Sequence, residues 1–221
     1  MKRFLISILL AGLSLGVFAK PSFCEIPQPA ATPKLWQLDI EYKAPLPIKV
    51  TLPGEKPAIY WYMIYKVTNH TNADQLFVPE FLLYTGTGQM LRSGQGVPPG
   101  VFSAIQKVSN NPLLRDAVAM TGKLLVGDDN SKTGVAIWQD FDVKAGEFDV
   151  FIGGLSGETT ELNLPTPIEV VVLDNDGNKK TVTKQTVVLA KTMQLTYKVA
   201  GEAASRASAL AQLVKQNWVM R

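Results

Sequence analysis

The chain has 221 residues, 46% of them apolar and 19% charged, with a formal net charge of +3. That apolar share supports a sizeable core and excludes a disordered polar chain. The length suits one domain with extensions.

Residues 1–19 read as a secretory signal peptide. Lys2 and Arg3 precede an apolar run from Phe4 to Phe18, and Val17 and Ala19 are the small residues before the cut. The run has 15 residues, short of the roughly 20 that span a bilayer as a helix. Cleavage leaves 202 residues with a net charge of +1, so much of the basicity belongs to the signal. The mature protein is expected to be exported, periplasmic or extracellular, with no transmembrane helix and no nucleic-acid partner. Residues 20–34 (KPSFCEIPQPAATPK) hold four prolines and form an extended linker. Cys24, the lone cysteine, lies within it, so no intrachain disulfide forms.

From residue 35 to 200 the pattern is one of short β runs between turn signals. Strands are expected at Leu35–Tyr42, Ile48–Leu52, Ala58–Thr68, Gln75–Thr85, Lys123–Val126, Gly134–Phe141, Phe148–Ile152, Ile168–Leu173, Lys180–Leu189 and Met193–Val199. In Ala58–Thr68 the alternation sets Trp61, Met63, Tyr65 and Val67 on one face as core. Tyr60, Tyr62, Ile64, Lys66 and Thr68 take the other, mixed face. Asp174-Asn175-Asp176-Gly177-Asn178 is a hairpin turn. A helical insertion is expected at about 100–118, where Val101, Phe102, Ile105 and Val108 recur at helical spacing behind Pro98-Pro99-Gly100. Residues 201–221 read as a C-terminal helix with Ala203, Ala207, Leu210, Val214 and Trp218 on one face. The fold class is therefore mainly β: an antiparallel β-sandwich, loosely immunoglobulin-like, with a short helical insertion and a C-terminal helix.

Catalytic and metal signatures are missing. His70 is the single histidine, which excludes a structural zinc site built from Cys and His. Gly154-Leu155-Ser156-Gly157 approaches a nucleophile elbow, but Glu158 stands where the final glycine is required. Counted from Asp174, an EF-hand loop needs glycine and glutamate where Lys179 and Gln185 stand. Asn69-His70-Thr71 fits a glycosylation sequon in a turn where asparagine is expected anyway. No cofactor is implied.

Two features point to partners. Tyr60, Trp61, Tyr62 and Tyr65 cluster; they serve either sandwich core and cross-strand packing or, with Tyr60 and Tyr62 on an exposed face, stacking on a sugar or a partner. Charge is segregated: residues 116–176 carry 12 acids and 3 bases, and residues 179–221 carry 8 bases and one acid. This balance serves either cross-strand pairing or a basic face for an anionic partner. The candidate partner or glycan contacts are Tyr60, Tyr62, Arg206, Lys215 and Trp218.

The phrases YWYMIYKVTNHT (60–71), FVPEFLLYTGTG (77–88), GVAIW (134–138), FIGGLSG (151–157) and WVMR (218–221) together resemble a family of exported bacterial proteins of unassigned function. The first two also resemble a sheet corner of immunoglobulin-like bacterial domains, without the Cys–Trp–Cys framework of antibody domains. The resemblance supports a sandwich, not antibody-like binding, and carries over no catalytic residues. The expected function is a non-catalytic protein-binding or structural module that engages an envelope protein or polysaccharide. The alternatives are a carbohydrate-binding module using Tyr60 and Tyr62, and a hydrolase using carboxylates of 116–176.

Overall fold

The computed structural model describes residues 27–174, 176–199 and 208–221. The signal segment, Cys24 and Arg206 lie outside the described residues. Twelve strands and two α-helices follow one another along the described chain. They are β1 (Asp39–Tyr42), β2 (Leu46–Val50), β3 (Ala58–Thr68), β4 (Gln75–Phe77), β5 (Glu80–Thr85) and β6 (Met90–Arg92). Then come α1 (Pro99–Ser109), α2 (Ala117–Met120), β7 (Gly122–Leu124), β8 (Lys132–Gln139), β9 (Glu147–Gly153), β10 (Thr159–Leu173), β11 (Lys179–Val199) and β12 (Ala211–Met220).

The chain is mainly β, and every strand pairing is antiparallel. In one sheet β3 is central, with β8 along one edge and β1 and β2 sharing the other. In the second sheet β6, β5, β9 and β11 lie side by side, and β12 closes the far edge of β11. β4 and β7 form a small separate ladder.

The two larger sheets share one core. β3 contributes Trp61, Met63, Tyr65 and Val67, the face the alternation selects, and these meet Phe148, Val150, Leu195 and Tyr197 of the other sheet. Phe148 stacks on Tyr197 at 5.4 Å and meets Trp61 edge-on at 5.9 Å. Such aromatic pairs add to the area term, about 1 kcal/mol each beyond burial.

The opposite face of β3 carries a correction. Tyr60 and Tyr62 are 7% and 8% exposed, packed with Val135 and Ile137 beneath Val101 and Ile105 of α1. The helical insertion returns to cover this face, so Tyr60 and Tyr62 offer no open platform to a sugar. α1 starts at Pro99, where a missing N–H costs nothing, and ends at Asn110 in the left-handed region (φ 48°). α2 is capped by Asp116, whose Oδ1 accepts from the Ala119 N–H at 2.8 Å.

The C-terminal helix is a second correction. Residues 201–207 lie outside the described residues, and 211–220 form β12, paired with β11 from Lys191 to Val199. Helical spacing of apolar residues lost here to an unfilled sheet edge. Val214, Asn217, Val219 and Trp218 are also modest helix formers. One extra residue, Val214, bulges where Thr196 faces Lys215 and Tyr197 faces Leu213.

Candidate functional site

β11 has two unlike halves. From Met193 to Tyr197 it is flanked by β9 and β12 and points alternate residues into the core. From Lys179 to Leu189 it pairs, among the described residues, only with β10, forming a long two-stranded ribbon. The ribbon turns at Asp174, whose Oδ1 accepts from the N–H groups of Asp176 and Asn178 at 3.0 and 2.8 Å. Gly177 supplies a φ of 82° in this turn. The carboxylate is thereby committed to the hairpin.

β10 blunts its own outer edge. Pro165 and Pro167 sit where the register shifts between Asn163 and Ile168, and neither can donate to a ladder. The outer edge of β11 from Lys179 to Leu189 is different, since no described strand pairs with it. β12 runs along the same edge and stops where Arg221 exchanges two backbone hydrogen bonds with Ala190 (2.8 and 3.1 Å). Lys179, Lys180 and Lys184 face Leu173, Val172 and Ile168 across the ribbon, and none has an ion-pair partner among the described residues. Val171, Leu173 and Val188 are 65%, 68% and 64% exposed. The segregated charge therefore does not resolve into cross-strand ion pairs here.

At the base of the ribbon a buried ion pair grips the N-terminal linker. Glu158 and Lys191 are 8% and 3% exposed, with Lys191 Nζ 3.2 Å from Glu158 Oε2. Glu158 Oε1 accepts from the Ala30 N–H at 2.7 Å, and Lys191 Nζ donates to the Ala30 carbonyl at 3.2 Å. The Ala30 N–H, and then Lys191, hold the Glu158 carboxyl below its ordinary range. The Lys191 ammonium also lies 5.2 Å from the Trp218 ring centroid, a cation–π contact. Trp218 is half-buried against the core and lines an open cleft of about 270 Å³ with Pro29, Ala31, Gln37 and Lys191. Of the residues singled out in the sequence, Trp218 reaches this clamp and Lys215 is exposed on β12.

The remaining polar candidates hold the fold. His70 bridges the start of β1 and the segment between β7 and β8, with Nδ1 2.6 Å from Asp39 and Nε2 2.9 Å from Asp128. Hydrogen bonds to Asp39 and then Asp128 raise its pKa. Both ring nitrogens are engaged with carboxylates, so neither is placed to activate a hydroxyl. Ser156 Oγ donates to the Trp36 carbonyl and accepts from the Glu158 N–H, a turn-fixing role. Asn69 of the sequon is fully buried, its amide donating to Ala73 and Leu124 carbonyls at 3.0 and 2.9 Å. A glycan there would dismantle this corner. Among the carboxylates of 116–176, Asp116 alone lines any of five surface clefts of the described residues. No described helix is long and apolar enough to cross a membrane.

Sequence reasoning missed the clamp. Glu158 appeared only as a failed elbow position and Lys191 only as one base among eight. Their partnership depends on a strand pairing, Thr159 opposite Ala190, that no local pattern signals. Compared with known protein families, curated proteins and solved structures, the chain matches none.

Proposed function

We propose that the protein is an exported, non-catalytic protein-binding module, a β-sandwich of loosely immunoglobulin-like kind, that takes its partner on the β10–β11 ribbon. Export rests on residues 1–19 and the sandwich on the core shared by the two larger sheets. The observation that carries the binding reading is the uncovered edge of β11 from Lys179 to Leu189. Such an edge is a row of N–H and C=O groups ready to pair with another strand. A two-stranded ribbon is marginal in water on its own, and an added strand would stabilise it.

The occupant this edge fits is an extended acidic strand, lying beyond Arg221 along the line of β12. Lys179, Lys180 and Lys184 would meet like charge if a second copy paired through the same edge, which disfavours self-association. An acidic strand neutralises them. The glycan reading loses its support because Tyr60 and Tyr62 are covered.

The test uses the mature protein and a fluorescein-labelled peptide alternating Glu with Val and Thr. Binding should be read by anisotropy, with new amide-exchange protection at Thr181–Leu189. Changing Lys179, Lys180 and Lys184 together to Glu should weaken it at least tenfold, and added salt should weaken the wild-type complex. Equal binding of a Lys-for-Glu peptide, or no protection along β11, rejects the proposal.

A further inference from the structure

The clamp at Ala30 has the form of a receptor for main chain. A buried ion pair is tolerated when its leftover hydrogen-bonding capacity is satisfied. Here that capacity goes to the N–H and C=O of one residue, 128 and 161 positions away from Glu158 and Lys191. Both bonds are to backbone. They select an extended chain with a free N–H at this point and are indifferent to the alanine side chain.

The gripped segment is Pro27-Gln28-Pro29-Ala30-Ala31-Thr32-Pro33. The prolines stiffen it at low entropic cost, the chain running without a bend from Pro27 to Ala30 and bending at Ala31 and Thr32, and none of them occupies the position where the N–H is needed. Trp218 supplies an aromatic wall, the surface on which extended proline-rich segments dock.

We propose that the Glu158–Lys191–Trp218 cleft is a binding site for extended proline-rich peptides, and that residues 27–33 occupy it as a tethered ligand. The ligand class is a proline-bearing strand with a non-proline residue at the clamp. The site is separate from the free edge of β11, so either can stand without the other.

Ala30→Pro removes the N–H that Glu158 accepts and should release the tether. The probe is the labelled heptapeptide PQPAATP, with PQPPATP as the control lacking that N–H. In the mature Ala30→Pro protein the probe should bind saturably, and the control at least tenfold more weakly. The wild-type protein should bind the probe at least tenfold more weakly than Ala30→Pro, because its own segment competes at high effective concentration. Adding Trp218→Ala to Ala30→Pro should cost a further tenfold. Equal binding of probe and control, or no probe binding by an Ala30→Pro protein with wild-type circular dichroism, overturns the proposal. Where Ala30→Pro fails to fold, Pro29→Gly with Pro33→Gly loosens the tether while keeping the N–H. No gain in probe affinity in that variant overturns it equally.

Discussion

His70 is held between Asp39 and Asp128 at 2.6 and 2.9 Å, on an exposed surface. Its pKa is raised in the folded chain, chiefly by these two hydrogen bonds. The linked stability is fully present below the unfolded value of about 6.5 and is lost as pH rises through the higher folded value. Urea midpoints of wild type and His70→Gln should therefore differ near pH 6 and converge by about pH 9. Gly154 is constrained differently. Its φ is 81°, and a Cβ there would stand 2.2 Å from the Val78 carbonyl oxygen, which is backbone and cannot swing away. Gly154→Ala should lose about 2 kcal/mol or more in urea denaturation, from strain and overpacking together. Tyr197 presents the opposite case, a fully buried phenol whose hydroxyl has no hydrogen-bond partner among the described residues. Tyr197→Phe removes an unsatisfied group and keeps the ring on Phe148, so its urea midpoint should equal or exceed that of wild type.

At the scale of elements, β11 is one strand with two environments. Its Met193–Tyr197 half is sandwiched between neighbours, while Lys179–Leu189 has a single partner among the described residues. Amide exchange should separate the two by orders of magnitude, the ribbon opening without global unfolding. Uniform protection along β11 would contradict this division. α1 matters for what it covers. Ile105 is fully buried over Tyr60 and Tyr62, and Ile105→Ala should cost about 3 kcal/mol. Several of these elements were legible beforehand. The strand at Ala58–Thr68 has the expected bounds, and α1 falls where Val101, Phe102, Ile105 and Val108 place it. The run Gln75–Thr85 is broken at Val78-Pro79 into β4 and β5, which enter different sheets. Lys180–Leu189 and Met193–Val199 are one strand, because the register passes through Lys191 and Thr192 without a turn.

At the scale of the whole molecule, Glu158 and Lys191 tie the N-terminal linker, the start of β10 and the middle of β11 into one junction. Removing either partner strands the other in a buried site, and removing both does not. Glu158→Gln and Lys191→Met should each destabilise more than the double variant, read from thermal midpoints; a double variant worse than both singles would refute this. Glu158 titrates with the opposite sign to His70. Its folded pKa is lowered, so its contribution is present above the unfolded value and lost as pH falls through the folded one.

The alternation Trp61-Met63-Tyr65-Val67, the turn at Asp174–Asn178 and the insertion behind Pro99 are local. Periodicity, a side-chain acceptor and a fixed φ act within a few residues, and the sequence determined them unaided. Tertiary structure alone decided three matters: that Tyr60 and Tyr62 lie under α1, that Ala211–Met220 is a strand, and that Glu158 meets Lys191 over Ala30. Each depends on which distant surface is left unfilled once the local elements have formed. A vacant edge on β11 outweighed helical spacing, and a bare sheet face drew in a helix. A register between residues 31 positions apart brought two unremarkable charges into one cleft.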